Sequence, residues 1–479
     1  MNCAFHLPRP AISNVRVGFV VAVLIGAAFG VYYMLSSQGS SVESSPSSTT
    51  GGTSSTSTVL EVGSSWPTYQ RDAGRSGFDP TEPDANNVKL SWTSANLDGK
   101  VYAQPLVAEG AVIVATEGAS VYAISESNGT VLWRVNLGSP VPRSELPCGN
   151  IDPTGITGTP VIDTTTHTVY VVSFLDPPHH ELFALDLRGG AVRFHRSADP
   201  AGADPFVEQQ RGALALANGM VYIPYGGLYG DCGGYHGWVV AARTDGNGSL
   251  LAYQVPTQRE GGTWAPSGIM VDGAGNILVA TGNGASTSTF DFGNSVIELS
   301  PNLSQLDWFA PSNWATLNVQ DTDLGSVGPS KVGPDSIFQI GKEGVGYLRL
   351  DHLGGIGGQV YSAHVCSAAY GSVASAPLYV FVPCRDGLAA LNVSLSRDSF
   401  AVVWRGPGFN AGPPIVAGGA VWTIDTSQGK LYAFDIHVGK VLFSYTLGSV
   451  VHFSGLSAAD GRIFVAAGEK IMCFFLNAP

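Results

Sequence analysis

From Val88 onward, short apolar runs alternate with Gly, Asp and Asn turns, and three stretches share one rhythm. They are GAVIVATEGASVYAISESNGTVLW (110–133), HTVYVVSFLDPPHHELFALDLRGGAVRF (167–194) and GAVWTIDTSQGKLYAFDIHVGKVLF (419–443). Each predicts a β-strand, a short turn, a second strand centred on an aromatic-Ala pair, a Gly turn, and a third strand ending in an aromatic. The aromatic-to-aromatic spacing is 11 in all three: Tyr122 to Trp133, Phe183 to Phe194, Tyr432 to Phe443. Looser copies end at Tyr253, Trp308, Tyr361 and Trp404, which makes seven. The eighth is split. The chain ends with the inner strands GRIFVAAGEKIMCFFLN, while Val88 to Trp92 is a final strand without inner ones. Joining the two halves closes a ring and removes both free sheet edges. The pattern therefore predicts an all-β chain, an eight-bladed β-propeller closed by pairing of its first strand with its last blade. From Val88 to Pro479 there are 392 residues, or 49 per blade, and the Trp residues are expected between adjacent blades.

The amino terminus follows a different pattern. Arg9 and Arg16 precede an uncharged stretch from Val17 to Leu35. Nineteen helical residues span about 28 Å, close to the core of a bilayer. The basic residues lie upstream, so residues 1–16 are expected in the cytoplasm, 17–35 as an N-terminal transmembrane helix acting as a signal anchor, and the remainder outside the cell membrane. A cleaved signal peptide is the alternative, although its apolar core is usually shorter. Residues 36–62 are rich in Ser, Thr and Gly and read as a flexible linker, leaving 63–479 as the propeller.

Composition narrows the class further. With 61 Gly, 29 Pro and 13% charged residues, long helices are excluded as the main architecture, while 44% hydrophobic residues supply a large core. A net charge of −13 argues against non-specific nucleic-acid binding. On the expected extracytoplasmic side lie Cys148, Cys232, Cys366, Cys384 and Cys473, with no CxxC and no zinc spacing. Cys366 and Cys384 bracket one strand-turn unit and Cys148 and Cys232 both lie in Gly-rich loops, which pairs them in that way; Cys473, inside an apolar strand, is expected to be a buried thiol.

The repeat Gly-x-Val-Tyr-Val, Leu-Tyr-Ala-Leu-Asp, Gly-x-x-Leu-Trp resembles that of the pyrroloquinoline quinone (PQQ) repeat superfamily, and SSWPTYQRDAGRSGFDP (64–80) is similar to its lead-in. The likeness covers residues 64–479. That superfamily includes dehydrogenases, assembly scaffolds and sensors, so the fold alone leaves function open.

The long loops fall in blades 2 to 5, at 146–160, 225–238, 261–268, 280–295 and 317–329, while blades 6 to 8 have short connections. This asymmetry predicts one functional sector at the channel mouth. Several of these loops resemble those of quinoprotein alcohol dehydrogenases, in which a Glu, an Asn and an Asp gather Ca²⁺ beside PQQ and a Trp stacks on the quinone. The resemblance implies Asn283 and Asp231 as metal ligands, Trp264 as the stacking platform, Asp321 or Asp323 as the catalytic base, and Lys342 as a cofactor-binding cation. This chain departs from that family in having Cys148-Gly149 where adjacent cysteines stand, and an Asp where the ligand Glu belongs. His179, His180 and His236 lack acid or Cys partners at metal spacing and read as solvated loop residues.

The leading expectation is a membrane-anchored, extracytoplasmic, non-enzymatic binding or scaffold propeller of a prokaryotic cell. It resembles the assembly lipoprotein of the outer-membrane β-barrel machinery, and its partner would be a protein or small molecule at the channel mouth. The alternatives are a PQQ- and Ca²⁺-dependent dehydrogenase of an alcohol or sugar, and a carbohydrate or cell-wall binding module.

Overall fold

The computed structural model describes residues 64–478 apart from Asp351, so the expected tail (1–16), anchor (17–35) and linker (36–62) lie outside the described residues. Among the described residues no helix is long and apolar enough to cross a membrane. They form eight sheets, each built on four antiparallel strands. Blade 1 runs Leu106–Ala108, Ala111–Ala115, Ser120–Ser125 and Val131–Asn136, and blades 2 to 8 begin at Val161, Ala215, Met270, Ser330, Ala374, Ile415 and Leu456. Most innermost strands of successive blades are neighbours, and that of blade 8 lies against that of blade 1, which closes the ring.

Burial explains the rhythm of the sequence. The second strand of blade 1 is buried at every position, because both faces meet adjacent blades. The outermost strand is mostly exposed, with its half-buried positions at alternate residues. The same contrast recurs in blade 7, between Ala420–Asp425 and Val441–Thr446. The seam of the ring forms as the split repeat predicts: Lys89–Thr93 pairs antiparallel with Lys470–Phe475, and Trp92 stands opposite Cys473. Cys473 is a buried free thiol.

The terminal aromatic of a blade is a latch onto the next blade. Trp92, Trp133 and Trp404 donate their indole N–H to the carbonyls of Glu126, Leu187 and Ile436, at 2.9, 3.0 and 3.0 Å. Under each ring lies a glycine of the next blade's outer hairpin: a Cβ on Gly129, Gly190 or Gly439 would fall within 2.6 Å of a ring carbon. All three glycines also have φ between +67° and +75°. The Gly of the repeat thus serves both the hairpin turn and the close approach of the neighbouring indole.

The lead-in threads past the inner strands of the whole ring. Ser64 N–H reaches Asp460 of blade 8, Trp66 bridges Val107 of blade 1, and Pro67 O accepts from Ile162 of blade 2. Ala73 and Gly74 O accept from Val271 and Lys331 of blades 4 and 5, Ser76 O from Ser375 of blade 6, and Phe78–Asp79 lies parallel to Val416–Ala417 of blade 7. Arg75, 1% exposed, completes the circuit. Its guanidinium donates to Leu214 O of blade 3 and to Ile269 O, Thr68 Oγ1 and Tyr69 O, at 2.7–2.9 Å. One sixteen-residue stretch therefore touches every blade.

Candidate functional site

Chain segments that lead into inner strands, and turns between the second and third strands, converge on a cavity of about 860 Å³. All six residues singled out for chemistry line it: Asp231, Trp264, Asn283, Asp321, Asp323 and Lys342. Both expected disulfides are formed in the structure, and Cys148–Cys232 joins the long loops of blades 2 and 3. It packs against Val141, Leu146, Phe174 and Leu228, so Gly230 and Asp231 are offered to the cavity from an apolar base.

Asp323 is the centre of one wall. Its side chain is 9% exposed; Oδ1 accepts the Asn283 N–H at 2.7 Å and Oδ2 lies 2.5 Å from Lys342 Nζ. Burial pushes its carboxyl above the ordinary value, against the opposing pull of the ammonium. Burial pulls Lys342 down, yet the two carboxylates outweigh it and hold the ammonium above its ordinary value. Lys342 also lies 3.2 Å from Asp321 Oδ1 and 5.8 Å from the centre of the Trp264 ring. Asp321, at 76% side-chain exposure, is the solvent-facing acid of the pair. Gly282 makes the crowding feasible, because a Cβ there would stand 2.6 Å from Asp323 Oδ1 and 3.1 Å from Trp264 Nε1.

Asn283 is held on four sides. Besides Asp323, it donates Nδ2 to Asp321 Oδ1 at 2.7 Å, its carbonyl accepts from Gly261, and its Oδ1 accepts from Asn294 Nδ2 at 3.0 Å. Asn294 is fully buried and also donates to Asn318 Oδ1 while accepting from Leu324 N–H. Sequence reasoning missed this organiser, whose signal was an Asn between Gly293 and Ser295 at positive φ. It also missed Tyr235, which donates to Asp231 Oδ1 at 2.7 Å, and Glu260, raised by burial against the pull of Arg259.

The opposite character appears on the rest of the lining. Arg211, Tyr370, Arg385, Asn410, His452 and Phe453 come from the segments before blades 3, 6, 7 and 8 and from a turn of blade 6. The expectation of a sector confined to blades 2 to 5 is thereby corrected: short connections reach the cavity as well as long ones. His452 is pulled down to about 4 by burial and by Arg211 and Lys100, so it is neutral at pH 7. The histidine expectation needs a second correction. His180 is 1% exposed, lies in a strand, and pairs through Nδ1 with Asp199 Oδ1 at 2.8 Å, because strand alternation turns it inward against Phe174.

Eight four-stranded blades with these latches, met by a lead-in that visits each, match known proteins. A model of the family described as outer membrane protein assembly factor BamB matches residues 81–226. The chain has the PQQ-like β-propeller fold. This PQQ-like propeller is similar to a quinohemoprotein alcohol dehydrogenase from Pseudomonas putida HK5, at 14% identity and a TM-score of 0.68, over 87% of this chain and 81% of that one. A europium-containing methanol dehydrogenase matches at 14% identity and 0.66, over 86% and 98% of the two chains. BamB from Moraxella catarrhalis matches at 14% and 0.56, over 81% and 97%. No curated protein matches the sequence.

The cavity of the PQQ-like propeller can be tested against the calcium that the resemblance implies. Calcium takes six to eight oxygens at about 2.3–2.6 Å. Here the Lys342 ammonium already lies between Asp321 and Asp323, and the Asn283 amide oxygen is engaged by Asn294. Among the described residues, three ligand atoms of His, Cys, Asp or Glu converge only at Cys366, Cys384 and Asp386, where the cysteines are joined to each other. The residues as arranged do not fit a calcium ion.

Proposed function

We propose that this chain is an extracytoplasmic binding propeller that captures a small polar ligand at its channel mouth, tethered to the membrane by the apolar segment 17–35. The observation that carries this reading is a cavity of about 860 Å³ into which charged, amide and aromatic side chains from most blades converge. That size and lining suit a small molecule better than a flat protein interface. The test is thermal denaturation of the full chain in detergent against a set of small polar metabolites. At least one chemical class is expected to raise the midpoint, and Trp264→Ala or Asp323→Asn to abolish the rise. If no metabolite shifts the midpoint while a captured protein does, the scaffold form of the reading takes its place.

A second reading is a PQQ-dependent dehydrogenase, favoured by Trp264, Asn283, Asp321, Asp323 and Lys342 lying in one wall. The Lys342 ammonium between the two carboxylates counts against its metal. Mixing the protein with PQQ, with and without Ca²⁺, decides the matter. Quinone absorbance that survives gel filtration, depends on Asn283 and accompanies dye reduction by a primary alcohol supports an enzyme; its absence at micromolar protein removes the reading.

A further inference from the structure

Arg211 lines the cavity and, among the described residues, has no hydrogen bond or ion pair to its guanidinium. Its Nη2 is buried without a hydrogen-bond partner, and among the described residues the side chain makes no ion pair. Phe453 covers the guanidinium, with its ring centre 5.0 Å from the Arg211 carbon. Tyr102 and Glu117 act on the Arg211 charge without a hydrogen bond to it: Glu117 Oε2 accepts from Gly155 N–H at 2.7 Å and Oε1 from Thr157 Oγ1 at 2.8 Å, and neither bonds Arg211. His452, the neighbouring imidazole, is neutral and brings no negative charge. Arg385, exposed at the same cavity, likewise makes no ion pair among the described residues. Elsewhere in the chain Arg75 is met by four hydrogen bonds and Lys342 by two carboxylates, whereas Arg349, which does not line this cavity, also leaves two buried nitrogens unpaired.

We propose that Arg211, helped by Arg385 of the same cavity lining, anchors an anion subsite in the channel mouth that takes the carboxylate of a small organic acid. A guanidinium presents two parallel N–H groups that match a carboxylate, and enclosure strengthens the pair by excluding water. Arg211 is half-buried with one nitrogen shut off from water and unpaired, which is costly, so its retention beside open space is explained by a ligand that completes it. Asp231, Glu260, Asp321 and Asp323 outnumber the two cations paired with them, Arg259 and Lys342, so a second negative charge is disfavoured there and the ligand is a monoanion with hydroxyl or amino donors. This inference deepens the small-ligand reading above and rests on it.

The test uses the full chain with 4-hydroxybenzoate and its neutral isostere 4-hydroxybenzamide as probes, read by calorimetry and by tryptophan fluorescence. The acid is expected to bind at least tenfold more tightly than the amide. Arg211→Gln is expected to remove that preference, Arg211→Lys to retain part of it, and Arg385→Gln to lower it several-fold. Gel filtration and circular dichroism report whether Arg211→Gln folds; should it fail, the exposed Arg385→Gln carries the comparison. Equal binding of the two probes, or unchanged preference in a folded Arg211→Gln, overturns the anion assignment. If the amide still binds, the small-ligand reading stands without it. If neither probe binds, the assignment is overturned and the metabolite screen judges the parent reading separately.

Discussion

Arg75 and Arg211 approach the same short segment of blade 3 and are treated oppositely. Arg75 donates to Leu214 O and three further oxygens, whereas three residues upstream Arg211 leaves a buried nitrogen unpaired. The lead-in side of the ring is largely finished: the Arg75 guanidinium and the Gln70 amide N–H groups meet backbone carbonyls, while Tyr69 Oη and Gln70 Oε1 stay unpaired. On the cavity side, cations and acids face open space or are held in pairs that a ligand can perturb. The contrast separates residues whose charge serves the fold from those whose charge awaits a solute.

The largest effect is expected at the finished side. Arg75→Ala strips donors from three buried carbonyls of the lead-in and blades 3 and 4, and is expected to cost about 3–5 kcal/mol in chemical denaturation. A loss below about 1 kcal/mol would dissolve the comparison. Next comes the latch: Gly190→Ala forces a Cβ to within 2.6 Å of the Trp133 ring at φ +71°, while Gly219→Ala at φ +70° meets open space. The first is expected to cost about 2–3 kcal/mol and the second about 1, and equal losses would show that the turn alone matters.

A pH experiment follows. Burial raises the Glu117 carboxyl to about 7, above its ordinary 4.5, so the folded state holds a proton that the unfolded state releases. Stability contributed by this group is present below about pH 4.5, falls as pH rises to about 7, and is flat above. Glu117→Gln is expected to flatten that slope by about 1–3 kcal/mol across pH 5–8, measured as the difference from the parent protein at each pH. The smallest effect sharpens the contrast most. Arg211→Gln, which removes a half-buried charge with no ion pair, is expected to change stability by less than about 1 kcal/mol or to raise it. A loss comparable to Arg75→Ala would make Arg211 structural.

Much of the fold was legible because it is periodic. The 11-residue aromatic spacing and the split last repeat follow from strand alternation and from the need to close edges, and the Cys pairs from one shared strand-turn unit and two Gly-rich loops. The lead-in was recognisable only by resemblance, since Arg75 and Gln70 bond to backbone carbonyls, which carry no sequence pattern. In the cavity, Trp264, Asn283, Asp323 and Lys342 were found through loop length and family likeness. Arg385 and His452 were not, because they come from short connections, nor Asn294, from a turn where an Asn looks ordinary, nor Arg211, from a segment before blade 3 that carries no motif. Propellers bring the starts of all their inner strands to one place, so loop length was a poor guide to which blades reach the cavity. His180 was misread because a His-His pair after Pro-Pro looks like a turn, whereas the strand His179–Asp186 begins there.

The threading of residues 64–79 has a consequence for biogenesis. Ser64 finds Asp460, and Lys89–Thr93 finds Lys470–Phe475, only after nearly the whole polypeptide has been synthesised. Such distant contacts are slow to form. The nascent chain must therefore emerge with its first segment waiting for its last, and a truncation near the carboxy terminus would leave the opposite end of the molecule unfastened.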